Sequence, residues 1–147
     1  MRGLTLLEIL ISLAIILIAG SILAYAFSGF RANSELSEAQ AAITGMLQEA
    51  RSRTLASENA TTYGVHFEAE RTVLFAGSSY NAADPSNKEY VLPTRVSISA
   101  INIAGGVSDI IFARLSGRAS ATGTMQLLTK DTAKSKTINI LSAGIAE

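Results

Sequence analysis

The chain contains no cysteine. Disulfides, thiolate metal sites and a cysteine nucleophile are therefore excluded, and disulfides give no marker of compartment. Histidine is nearly absent as well. The single one, His66, has no acidic or histidine companion at ligand spacing, so it reads as a solvent-facing structural residue. With serine abundant but no base to pair with it, catalysis has no candidate residues. Net charge is missing too, since 12 Lys plus Arg balance 12 Asp plus Glu, and nucleic acid is not an expected partner. Tryptophan is absent and aromatics are few, which with the Ser, Thr, Ala and Gly content suggests a light β-rich domain, not a large enzyme core. Only two prolines occur, Pro85 and Pro93. Neither interrupts residues 4–57, where one long helix is expected.

What is present begins at the N-terminus, "MRGLTLLEILISLAIILIAG". Residues 9–30 carry no charged side chain, about the length that crosses a hydrocarbon core as a helix. Glu8 sits at its start. A carboxylate there costs about 2.5–3.5 kcal/mol unless it reaches the interface or finds a partner. A secretory signal with its small-x-small site around Ala24 to Ala26 is a rival reading, but the apolar core is longer than the usual signal. Arg2 and the initiator amine favour an N-terminus inside, with Arg31 on the other flank.

After Phe30 the helical pattern continues without the all-round apolarity. Leu36, Ala39, Ile43, Leu47 and Ala50 recur at three- and four-residue steps, opposite Glu35, Glu38, Gln40, Gln48 and Arg51, the signature of a helix with one buried stripe. The partner for that stripe comes later. "TTYGVHFE" alternates as a half-buried strand and turns through "AER" into "TVLFAG", a hairpin. "SSYNAADPSNK" is a loop by composition. "EYVLP", "RVSISAINI", "DIIFA", "TMQLLTK" and "KTINIL" follow as short strands. The expected fold is α+β: a long N-terminal helix, its first half membrane-embedded and its second half packed on a small antiparallel sheet.

The segment "GLTLLEILISLAIILI" resembles the prepilin cleavage and methylation segment of type IV pilins and type II secretion pseudopilins. The match covers Gly3, Leu4, Thr5, Glu8 and the uncharged stretch that follows; the family more often has Phe where this chain has Leu4. The resemblance implies three parts: a leader over 1–3, a transmembrane and filament-core helix over 4–30, and a pilin head over 31–147. The head divides into a helical part, 31–58, and a β-rich part, 60–147. It implies cleavage by a prepilin peptidase between Gly3 and Leu4 and N-methylation of the Leu4 amine. Gly3 has a physical reason, since a residue without Cβ lets a protease hold and approach the backbone closely. Glu8 would neutralise the Leu4 ammonium of its own or a neighbouring helix, because a matched pair loses less on burial than either charge alone.

The carboxyl half is similar to H-type minor pseudopilins in "LQEARSRTLASENATTYGVHFE", "DIIFARLSGRA", "TMQLL" and "TINILSAGIAE". Implied partners are other pilin or pseudopilin subunits, an assembly ATPase and a platform protein. The implied location is the bacterial inner membrane, single-pass, and then an extracytoplasmic filament. No cofactor or metal is expected. Asp84, Asn87 and Glu89 in the 78–89 loop are oxygen donors of the kind that hold calcium, but without a charge cluster a solvated turn is the favoured reading. "LSGRASATG" lacks the strand–GxxxxGK–helix context of a phosphate loop. The competing function is a single-pass anchored extracytoplasmic binding module that forms no filament.

Overall fold

A computed structural model describes residues 5–131, 133–144 and 146. Its dominant element is a single helix, α1 (Leu6–Leu55), of 50 residues, about 75 Å long at 1.5 Å per residue. The expected helix ran to Ser57 and the observed one stops at Leu55. There the Ala56 N–H turns onto the Ser52 and Thr54 carbonyls, and Ser57, at φ 52°, leaves the helical region. A tight 3-10 turn, Glu58–Ala60, reverses the chain.

Seven strands follow: β1 (Tyr63–Phe67), β2 (Arg71–Ala76), β3 (Lys88–Val91), β4 (Val96–Ile103), β5 (Asp109–Ile111), β6 (Gly123–Thr129) and β7 (Ser135–Ile140). They form two antiparallel sheets where a single small sheet was expected. One has the order β3-β2-β1-β5 and the other β4-β6-β7. The break falls at Pro93, whose missing N–H cannot continue a ladder. Beyond it β4 takes β6 as its ladder partner, while the Ile98 N–H donates to the Ala69 carbonyl at the turn between β1 and β2. That bond ties the two sheets together.

Both sheets lie against the second half of α1. Its buried stripe is Ala32, Leu36, Ala39, Ile43, Met46, Leu47 and Ala50, with steps of three and four that keep one face inward. It meets Tyr63, Val65 and Phe67 of β1, Leu74 of β2 and Ile110 of β5. From the other sheet come Ile98 of β4, Met125 and Leu127 of β6, and Ile138 of β7. Alternation along the strands accounts for these positions.

Candidate functional site

The candidate site is the first half of α1, whose large apolar side chains are left uncovered among the described residues. Thr5 caps the helix, its Oγ1 accepting from the Glu8 N–H at 3.3 Å. Thr5 and Glu8 thus stand as N-cap and N3, the T-x-x-E spacing of a capping box. This spacing lies in the sequence, and the half of it that the structure shows is the Glu8 N–H held by the Thr5 hydroxyl. One turn later Ser12 Oγ donates to the Glu8 carbonyl at 2.7 Å, which satisfies a hydroxyl within the helix itself. Glu8 is exposed at the first turn, where negative charge also suits the helix macrodipole. Gly3 and Leu4 lie outside the described residues.

From Leu6 onward the apolar side chains face outward on every side. Leu6 is 78% exposed, Ile15 61% and Phe27 69%. The helix is long and apolar enough to cross a membrane, and its length and composition suit a single-pass anchor. Burial begins abruptly at Ala32, which is 1% exposed.

At the neck between the bare and the covered half, the turn after β6 reaches back to the helix. Lys134 Nζ donates to the Gly29 carbonyl at 3.1 Å, and Lys136 Nζ to Ser37 Oγ at 3.0 Å. Arg31 pairs with Glu35 one turn on. At the far end of α1, Arg51 departs from its expected place on the solvent face. It is half-buried, and its Nε donates to the Gly117 carbonyl at 3.1 Å. Gly144, at φ +76°, closes over the same spot, and a Cβ there would collide with Arg51 and the Gly117 carbonyl. The loops before β6 and after β7 are therefore clamped to the helix end. Thr54, fully buried, completes the joint: its hydroxyl donates to the Ala50 carbonyl and accepts from the Tyr63 N–H at 2.9 Å.

His66 requires a correction. It has two acidic companions after all: Glu68, two residues on along the chain, and Asp109, brought by the fold from 43 positions away. Its Nδ1 bonds Asp109 Oδ1 from β5, and its Nε2 lies 3.6 Å from Glu68. Its ring stacks on Tyr80 at 4.0 Å between centroids. Glu68 is itself gripped by Arg71, which holds its carboxyl below the ordinary range. His66 thus anchors the 77–87 loop over the outer sheet face instead of simply facing solvent. In that loop Asp84 accepts from the Ser86 N–H and hydroxyl, which lowers its pKa. Glu89 pairs with Arg71, and Asn87 donates to the Asn81 carbonyl. Asp84 and Glu89 are thus engaged separately, and the Asn87 side-chain oxygen is buried with neither of them on it. Among the described residues no group of three or more acidic or histidine side chains is placed to hold a metal ion.

No protein-family model matches the chain, and no curated protein matches it by sequence. Two solved structures do share its fold, both of the minor pseudopilin EpsH from the type II secretion system of Vibrio cholerae. Their TM-scores are 0.57 and 0.55, each at 12% identity, covering 78% and 77% of this chain and 92% and 94% of theirs. The long helix packed on antiparallel sheets is the fold of a pseudopilin.

Proposed function

We propose that this chain is a structural subunit, a pilin or minor pseudopilin, of a type II secretion pseudopilus or type IV pilus filament. One observation carries the reading: α1 leaves a folded head as a bare apolar rod over residues 6–30, with a lone carboxylate at its start. The EpsH-like fold supports it. In this reading residues 1–3 are a leader, a prepilin peptidase cuts between Gly3 and Leu4, and the Leu4 amine is methylated. The subunit waits in the inner membrane with its N-terminus in the cytoplasm. An assembly ATPase and a platform protein then move it into the filament, where helices over residues 4–30 of neighbouring pilin or pseudopilin subunits replace lipid. Its role is scaffolding, not catalysis.

Glu8 sets register in this scheme. An ammonium buried without a counter-charge costs several kcal/mol, so only a neighbour whose Leu4 amine meets Glu8 at the right height packs well. The test has two parts. The mass of the mature N-terminus reports cleavage and methylation; recovery of an intact Met1 from cells with active prepilin peptidase would sink the reading. Glu8→Gln should be inserted and cut normally, yet fall at least about tenfold in the sheared-filament fraction, since every 1.4 kcal/mol is tenfold. Undiminished Gln variant in that fraction would remove Glu8 from the mechanism, whereas absence of the unaltered chain itself from that fraction would favour the anchored binding module.

A further inference from the structure

The neck places a set of cations at a definite height on the helix. Lys134 Nζ reaches the carbonyl of Gly29, one residue before the uncharged run ends at Phe30. The tip of the β6–β7 hairpin therefore descends along α1 to the last turn of the apolar segment, the level at which hydrocarbon gives way to headgroups. Four other cations belong to the same end of the head. Arg31 follows the apolar run directly, and Lys136 bonds Ser37 two turns above Gly29. Lys130 lies at the end of β6, and Arg95 is joined to it, its carbonyl accepting from the Lys130 N–H.

Three of these five cations are paired with carboxylates: Arg31 with Glu35, Arg95 with Asp131, Lys130 with Glu70. Lys134 and Lys136 bond only a carbonyl and a hydroxyl among the described residues. Lys134 and Lys136 are thus the two cations of this set that no carboxylate pairs among the described residues. An ammonium has three N–H donors, and Lys134 spends one on Gly29. A long lysine stem can lie along apolar surface while its head stays at the polar boundary.

We propose that the β6–β7 hairpin tip is a foot that rests on the bilayer holding the span and binds the phosphate groups of anionic phospholipids through Lys134, assisted by Lys136. The inference rests on the reading of residues 6–30 as a membrane span. It adds that the head is held down on the surface before assembly, so that leaving the membrane means breaking lysine–phosphate contacts as well as extracting the helix. Basic groups near an anionic surface each shift such an equilibrium roughly fivefold.

The absence of cysteine makes the test clean, because a single introduced thiol can be labelled. The full chain, with a fluorophore at Ala133→Cys or, as control, at Ser116→Cys in the opposite loop, is reconstituted into nanodiscs that contain a headgroup-attached quencher lipid. In phosphatidylglycerol-rich discs the Ala133 label should be quenched several-fold more than in pure phosphatidylcholine, and the Ser116 label equally in both. High salt, which shrinks the Debye length to about 3 Å at 1 M, should abolish the difference. So should Lys134→Glu; Lys134→Gln, which removes the charge without adding a repulsive one, should reduce it. Equal quenching of the Ala133 label in the two bilayers, or an unaltered difference in Lys134→Glu, overturns the foot while leaving the span intact. Failure of the chain to co-migrate with the discs overturns both.

Discussion

The two halves of α1 belong to one unbroken helix and behave oppositely. Ile15 is 61% exposed and Ile43 is fully buried, although both are isoleucines in one unbroken helix. What separates them is the arrangement of their neighbours. Around Ile15 every face is apolar, so no single face directs the helix onto a sheet. Around Ile43 the apolar residues are confined to one stripe, and the two sheets cover that stripe. An all-round apolar helix needs lipid or other helices, whereas a striped one makes its own core. The boundary between them at Phe30 to Ala32 divides what this molecule completes alone from what it leaves for others.

Aspartate should separate the halves most sharply. Ile43→Asp buries an unpaired charge, a loss of about 3–5 kcal/mol against a total stability of roughly 5–15 kcal/mol. The head should lose its cooperative thermal transition by circular dichroism. Ile15→Asp should leave that transition unchanged and instead cost about 2.5–3.5 kcal/mol of membrane insertion, read as a shift of protein out of the membrane fraction. Equal loss of the head's transition in both variants would mean that the free half is part of the folding unit.

Glycine gives the next contrast. A Cβ at Gly64 would lie 2.7 Å from the Phe75 ring and 2.8 Å from the Ile110 carbonyl, whereas one at Gly20 meets nothing within 4 Å. Gly64→Val should destabilise the head by about 1–3 kcal/mol through overpacking. Gly20→Ala should not lower head stability, and it should favour the free helix by about 1 kcal/mol through propensity alone. Denaturant midpoints of the two variants decide it; a stable Gly64→Val would show that β1 and the Phe75 ring can move apart.

Buried and exposed hydroxyls should differ in the same direction. Thr54→Val removes the acceptor of the Tyr63 N–H at the joint between α1 and β1, leaving a buried donor unpaired at about 1–3 kcal/mol. Ser21 Oγ only donates to the Ile18 carbonyl on the exposed half, and Ser21→Val should leave the head transition where it is. Matching losses would imply that Tyr63 finds another acceptor when Thr54 is gone.

The stripe was legible because a 3.6-residue period survives in a single pass along the chain, and Leu36, Ile43 and Leu47 are buried where that period puts them. The strands were legible from alternation and turn residues. What stayed hidden depended on contacts between distant positions. His66 meets Asp109 only because β1 and β5 pair in the register that sets those two residues opposite each other, 43 positions apart. The same holds for Arg51 and Gly117 and for the joint between the two sheets, where the Ile98 N–H meets the Ala69 carbonyl. Of the candidate site, Glu8 and the uncharged run could be read directly. The cap that Thr5 places on Glu8 was equally present in "TLLE", but the carboxylate drew attention as a charge and not as the third residue of a helix.

The smallest expected effect concerns how the covered half of α1 holds the edge strand β3. Glu49 on the helix accepts from Lys88 Nζ at 2.8 Å and from Arg53 Nη2 at 2.7 Å. The hydrogen bond from Lys88 is the main reason its carboxyl is held below the ordinary value of 4.5, and partial burial works against the shift. A carboxyl depressed in the folded state contributes stability that is present above its unfolded pKa and lost as pH falls through the folded one. The stability that Glu49 supplies should therefore be fully present from neutral pH to about 5 and be lost below about 4.5. Lys88→Ala should lower stability at neutral pH by only about 0.2–1 kcal/mol, because the lysine is well exposed and screened by solvent. The difference between the two proteins should close as pH drops into the range where Glu49 is protonated. Melting curves of both from pH 7 to about pH 3 measure it. A gap that stays constant across that range would mean that Lys88 supports β3 by packing along its stem, and that the ion pair contributes nothing to docking the strand on the helix.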